Sequence, residues 1–390
     1  MQPQHKMELK KSDSILMIED EILSIQRKFA SQNPPQSDRF SYKIASQQIG
    51  GPFQDIWASV ALASMHEKCA SGQLVAWGLK DWKPFDDGEL SEVNETSLPF
   101  TPAGLFAIEA GLPIVTDTNT PIKLDSSKII DLLIRKHFML GDGGGRERVV
   151  VELDPGYPVA PVFKSDYYDF EAFKFALRDI RENIEIGGMQ RAQKVGVEGT
   201  ALNLARFLFE IRQNAFEHAS AAKNVRLFRI KKRAFNNRGL ALQWAQGFPK
   251  LAEYLEYTLS AQGPSYVYEA SISDFGNGIV DTMLDSPKGK TYRDSNREEL
   301  LNLLLHTQLS SKITDADAGE GITDALWAAR NMWAFVSLRT GEFWKYQDTT
   351  NDAPVGLQDC FPGKELAKVV GTHWQIIYSG FSTSDPFPKQ

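Results

Sequence analysis

The sequence predicts an α/β chain in two parts, and three observations carry that prediction. Leu204, Phe207, Leu208, Ile211 and Ala215 recur at helical spacing, so the run ending near His218 reads as one amphipathic helix. The stretch from Tyr266 to Ile272 alternates in part like a strand and feeds an aspartate-glycine turn. Between Phe40 and about Glu185, helical patterns such as Gln54 to Cys69 and Ser126 to His137 mix with short strands such as Arg148 to Leu153. A chain of 390 residues allows two or three domains, each large enough to bury a core.

Taken in order, residues 1–37 read as an N-terminal helix and linker. Ile15, Leu16, Ile18, Ile22, Leu23 and Ile25 lie on or near one side of a helix from Ser14 to Ala30, and the Pro/Gln/Ser segment from Ser31 to Ser37 reads as the linker. Residues 38–185 read as an α/β domain of unassigned role. Within it, Gly141-Asp142-Gly143-Gly144-Gly145-Arg146 has the composition of a phosphate loop, but no Gly-Lys-Ser/Thr ending follows and a strand comes next, so it reads as a turn. Phe173, Phe175, Ala176, Ile180 and Ile184 mark a connecting helix from Phe170 to Ile184. Residues 186–390 form the second part. There the segment from Arg233 to Pro264 carries its own helical pattern, Leu251, Tyr254, Leu255, Thr258 and Leu259, and is a candidate interaction surface.

The second part carries the chemistry-bearing residues. Glu210, Asn214 and His218 are spaced four and four, which stacks a carboxylate, an amide and an imidazole on one helix face, with Cβ atoms roughly 5–6 Å apart. Asp274-Phe275-Gly276-Asn277-Gly278 follows the strand. Further on come Ser310-Ser311-Lys312, then Gly319-Glu320-Gly321-Ile322 ahead of a helix running through Ala325 to Met332, and Gly371-Thr372 before the strand Trp374 to Tyr378. Taken singly, each has a plain reading. A polar helix face is ordinarily solvated, a lone helix histidine caps or pairs with backbone, an Asp-x-Gly-x-Gly run is ordinarily a turn, and a lysine in a loop is ordinarily solvated.

These runs resemble, in order, the N-box, G1 box, lid motif, G2 box and final Gly-Thr pair of the GHKL ATPases, the superfamily of gyrase, Hsp90, the mismatch-repair ATPases and the sensor histidine kinases. The resemblance covers roughly the second half of the chain. It implies a Bergerat-type ATP-binding domain, an α+β two-layer sandwich in which helices cover one face of a mixed, largely antiparallel sheet. It implies ATP and Mg²⁺ as ligands, with Asn214 as the metal ligand and Glu210 as the general base of hydrolysis. Many kinase members carry Asn or another residue at the latter position. By the same resemblance Asp274 reads the adenine amino group, supported by Thr372. Gly276 and Gly278 let the backbone approach base and sugar, while Gly319, Gly321 and Lys312 cradle the phosphates and His218 lies beside nucleotide or water. Ile322 and Thr323 depart from the family's Gly-x-Gly-Leu-Gly, which bears on lid closure and turnover. His66-Glu67 resembles the start of a histidine-kinase phosphoacceptor box, but the downstream proline is missing.

The functional expectation is a slow, partner-controlled ATPase switch in prokaryotic signalling or defence. The alternatives are a protein kinase acting on a separate partner and a non-catalytic nucleotide-binding scaffold. Protein partners and a homodimer fit the family's habit. The net charge of −7 argues against a DNA-coating surface, although Lys223, Arg226, Arg229, Lys231, Lys232, Arg233 and Arg238 form a basic cluster. A solvated edge strand with protective lysines is the preferred reading of that cluster, and contact with nucleic acid is the less favoured one. Two cysteines, Cys69 and Cys360, give neither a disulfide framework nor zinc spacing. With no apolar run near 18 residues and no signal-like N-terminus, the expected setting is the cytoplasm, away from membranes.

Overall fold

The computed structural model describes residues 4–9, 15–30, 39–45, 52, 54–69, 71–77, 102–116, 118–119, 121, 139–142, 145–152, 169–174, 177, 197–218, 226–306, 321–350 and 356–380. The chain is α/β, with one parallel and one antiparallel sheet among those residues. It opens with β1 (Gln4–Leu9), α1 (Ile15–Ala30), β2 (Arg39–Ala45), α2 (Gln54–Lys68), β3 (Ser71–Trp77), α3 (Pro102–Glu109) and β4 (Ile114–Thr116). The four strands pair in parallel in the order β1-β2-β3-β4. Parallel neighbours need crossover connections, and right-handed crossovers in one direction leave all the helices on one face. Met7, Tyr42, Leu74 and Ile114 share a row of that face and are buried with residues of α1, α2 and α3.

The second sheet comprises β5 (Met139–Asp142), β6 (Gly145–Glu152), β7 (Arg226–Phe235), β8 (Ser265–Asp274), β9 (Phe335–Gly341), β10 (Phe343–Asp348), β11 (Gln358–Asp359) and β12 (Val369–Gly380). Its order is β11-β10-β9-β12-β8-β7-β6-β5, and every neighbouring pair is antiparallel. The expected mixed sheet is therefore corrected. The long helical connection from β8 to β9 could have set them parallel side by side, but β12 inserts between them and runs antiparallel to both.

Helices cover both faces of this sheet, where one covered face was expected. One face carries α4 (Val197–His218), α7 (Ile279–Asp285), α8 (Arg297–His306) and α9 (Gly321–Arg330), with Phe207, Leu208 and Ile211 of α4 buried on Ile272, Trp374 and Ile376. Each such side chain contributes about 1.5–3 kcal/mol by leaving water. The opposite face carries α1 and α2 together with α5 (Arg238–Ala245) and α6 (Pro249–Thr258), so that Ile15, Trp57, Val60, Tyr254 and Leu255 share a core with Phe335, Trp344 and Ile377. The expected interaction surface at 233–264 thus packs largely inward, although Leu240 and Tyr257 are exposed. Helix α2 lies between the two sheets, which is why it is apolar or small all round, from Trp57 through Ala58, Ala61 and Ala63 to Met65.

Three further expectations change. The hairpin β5–β6, placed by the sequence in the first domain, forms the outer edge of the second sheet, with β6 paired along β7 from Gly145–Arg233 to Glu152–Arg226. Strand β7 is consequently internal, and Arg229, Lys231 and Arg233 are buried instead of lining a solvated edge. Arg233 lies 3.8 Å from the Glu269 carboxylate and over the Trp244 ring, and Lys232 lies over Tyr266 and Tyr268. The N-terminal segment is not set apart either, since β1 and α1 belong to the packed layers. The expected linker at 31–37 and the helix at 126–137 lie outside the described residues. Of the connecting helix, 170–174 is helical, with Phe173 and Leu177 buried in the α4 core. Cys69 and Cys360 are buried thiols outside any disulfide, and no described helix is long and apolar enough to cross a membrane.

Candidate functional site

Strand alternation places three polar residues where the central strands end. Asp274 shares the face of Ala270 and Ile272, Thr372 that of Trp374 and Ile376, and Thr340 that of Val336 and Leu338, so all three point to the α4 side. The register sets them in one row, Thr340 opposite Thr372 and Thr372 opposite Asp274. Asp274 is 5% exposed, and its Oδ1 accepts from the backbone N–H groups of Gly276 at 3.0 Å and Thr372 at 3.3 Å. A buried carboxylate needs such donors. Thr372 supports Asp274 through its backbone N–H, while its hydroxyl lies 3.4 Å from that of Thr340.

The glycines allow the turn to close. Gly371 has φ +79° within a register shift of β12; its N–H donates to the Gly276 carbonyl at 2.7 Å, and a Cβ there would lie 1.9 Å from the Asp274 carbonyl oxygen. Gly278, with φ +84°, opens α7, and its Cβ would meet Thr340 Oγ1 at 2.9 Å. That hydroxyl accepts from Ile279 N–H at 3.0 Å, satisfying one of the donors left open at the start of a helix. Thr340 is thus a structural member of the site that sequence reasoning missed. Its only signal is a Thr-Gly pair at a strand end.

Behind the turn, the Phe275 ring packs on Phe106 of α3 at 4.9 Å and on His373 at 5.5 Å. Burial pulls the His373 pKa down to about 4. The neutral ring lies 2.8 Å from the Val370 carbonyl, which selects the tautomer with its proton on Nε2.

The second group of residues is set by α4 and α9. Glu210 and Asn214 are half-buried on α4, along one flank of its apolar stripe. Asn214 Nδ2 donates to the Glu210 backbone carbonyl at 2.9 Å, and the amide oxygen has no partner among the described residues. Gly321, the first residue of α9, lies against both, since a Cβ there would sit 3.0 Å from Glu210 Oε2 and 3.2 Å from Asn214 Nδ2. The carboxylate therefore lies at the positive end of α9, where an anion is favoured. Arg206 and Asp324 tie the two helices at 3.5 Å. Phe207 of α4 meets Trp374 edge-on at 6.4 Å, two positions along β12 from Thr372, which seats α4 beside the first group.

Of the sequence-predicted residues, Asp274, Gly276, Gly278 and Thr372 come together at the turn, and Glu210, Asn214 and Gly321 at the α4–α9 contact. Lys312 and Gly319 lie outside the described residues, as does the side chain of His218, the last residue of α4.

The residues offer a buried carboxylate that accepts hydrogen bonds, backbone uncovered by side chains at Gly276 and Gly278, an amide oxygen that can fill one cation position, and a helix N-terminus that favours anions. Gly321→Ala is expected to push the Glu210 carboxylate and the Asn214 amide aside by a few tenths of an ångström, leaving the fold intact and weakening any ligand they hold in common. Circular dichroism together with ligand titration would check this. No family model matches the chain, and no curated protein matches it at a significant level.

Proposed function

We propose that the chain is a GHKL-type, Mg²⁺-dependent ATP-binding protein that hydrolyses ATP slowly and serves as a partner-controlled conformational switch in prokaryotic signalling or defence. The observation that carries this reading is that Asp274 and Thr372 meet at one turn, while Glu210 and Asn214 meet the first residue of α9 on the same side of the sheet. In this reading Asp274 accepts from the adenine amino group. Gly276 and Gly278 keep the approach to base and sugar clear. The α9 N-terminus takes the phosphates together with Gly319, with Lys312 reaching them from the lid and His218 near the water. Asn214 Oδ1 would hold Mg²⁺, which neutralises phosphate charge when bound. Glu210 would accept the proton of the attacking water, and its presence where kinases of this family carry Asn favours hydrolysis over transfer.

Calorimetric titration with ATP on Asp274→Asn and Asn214→Ala tests the reading. Asn at 274 keeps an oxygen for the Gly276 and Thr372 amides, so the turn should persist. Affinity should fall about ten- to hundredfold with or without Mg²⁺, the loss expected for a hydrogen bond to a buried charged group. Asn214→Ala should remove only the Mg²⁺-dependent part of the affinity. Wild-type affinity in both variants would exclude the site.

A further inference from the structure

Helix α1, which the sequence sets apart from the second half, grips the wall of this site. Glu19 of α1 is 1% exposed and Arg339 of β9 is 4% exposed. Arg339 donates from Nε and Nη2 to the two Glu19 carboxylate oxygens at 3.0 and 3.3 Å, a two-pronged pair. The same guanidinium donates to the carbonyls of Gly341, Phe343 and Ala367, and the Glu19 carboxylate accepts from Ala367 N–H at 3.0 Å. Trp57 and Trp344 cover it at 5.3 and 6.0 Å. Farther along α1 the grip continues. The Gln26 amide takes the Lys368 N–H at 2.8 Å and donates to its carbonyl, Arg27 pairs with Glu365, and Asp20 pairs with Lys364 at 3.0 Å.

The anchored peptides belong to segments that frame the Asp274 turn. The Gly341 backbone nitrogen lies 3.4 Å from where a Gly278 Cβ would be. Ala367 and Lys368 lead directly into the part of β12 where Gly371 closes on Gly276 and Thr372 on Asp274. Lys368 also reaches Asp281 of α7 at 2.9 Å, so the segment held by α1 holds the helix opened by Gly278. Thr340, next to Arg339, points to the opposite face and caps that helix.

We propose that α1 is a positioning element of the nucleotide site, with Glu19 as its principal positioning residue, so that docking of α1 and nucleotide affinity are coupled. This rests on the ATP-binding reading above. A partner that draws α1 off residues 364–368 releases nucleotide, and nucleotide in turn holds α1 down, because coupling between two equilibria is reciprocal.

The test uses the full chain. The affinity for Mg²⁺·ATP is measured by calorimetry in wild type, Glu19→Gln and Gln26→Ala, and amide hydrogen exchange of α1 in the wild type is followed with and without nucleotide. Glu19→Gln is expected to weaken binding about five- to hundredfold. Gln26→Ala, at an exposed contact where folding is not at stake, is expected to weaken it about two- to tenfold. Exchange in α1 should slow on nucleotide binding. If Glu19→Gln fails to fold, Gln26→Ala and the wild-type exchange decide. Wild-type affinity in the variants, with α1 exchange indifferent to nucleotide, overturns the coupling alone. No binding by the folded wild type overturns the nucleotide reading and the coupling with it.

Discussion

Gly371→Ala is expected to destabilise the protein by about 2–5 kcal/mol, on two physical grounds. A non-glycine residue in the left-handed region costs roughly 1–2 kcal/mol, and Gly371 sits at φ +79°. The larger effect is steric, because the added Cβ would lie 1.9 Å from the carbonyl oxygen of Asp274 and 2.8 Å from the Phe275 Cα, and neither backbone atom can rotate away. Forcing extra volume into a packed site typically costs about 1–3 kcal/mol. Relief would require β12 to move off β8, breaking the Gly371–Gly276 and Thr372–Asp274 hydrogen bonds. Gly363→Ala is the control, since Gly363 has φ +74° with nothing within 4 Å of its Cβ position and should show the backbone cost alone. Urea denaturation of both variants checks the comparison. Equal losses would mean that the strand contact tolerates displacement.

Glu210→Ala is expected to lower ATP turnover by about 10²–10⁴-fold while leaving nucleotide affinity near wild type. The separation of the two effects follows from the geometry of α4. Asn214 is held through the Glu210 backbone carbonyl, so truncating the Glu210 side chain leaves the amide in place. Alanine also favours a helix interior, so α4 should keep its apolar seat on the sheet. Removing the carboxylate opens space beside Gly321 and takes a negative charge away from the start of α9, which should favour phosphate there. Phosphate release under saturating ATP, with affinity measured separately, distinguishes the two effects. Unchanged turnover would remove Glu210 from the chemistry, and label from ATP appearing on an added protein would favour phosphotransfer.

What the sequence made legible was local. The apolar stripe from Leu204 to Ala215 marked α4, alternation before Asp274 marked β8, and both emerge with bounds close to those expected because helix and strand periods are written in neighbouring residues. Gly321 marked the start of α9, and Gly371-Thr372 fell within β12, as their glycines and flanking apolar runs suggested. Long-range pairing was not legible. Nothing in 139–152 states that it will pair with β7, and without that partner the basic residues of β7 look like an edge device. Their burial depends on Glu269 and on aromatic rings brought in by other elements. The Glu19–Arg339 pair spans 320 positions and has no local signature, since Glu19 opens the acidic run Glu19-Asp20-Glu21, which ordinarily reads as the solvated face of its helix. Thr340 was missed for the same reason, as its role is defined only by the register that sets it beside Thr372.

The central claim is that the Asp274 turn and the α4–α9 contact together form one Mg²⁺-dependent ATP site. Its most direct test is a calorimetric titration of the folded wild-type chain with ATP, run once with Mg²⁺ and once with the cation chelated. The account predicts saturable binding of one ATP per chain, markedly tighter with Mg²⁺. A chain that unfolds cooperatively, as expected of a native protein, yet shows no heat of ATP binding in either condition would contradict it.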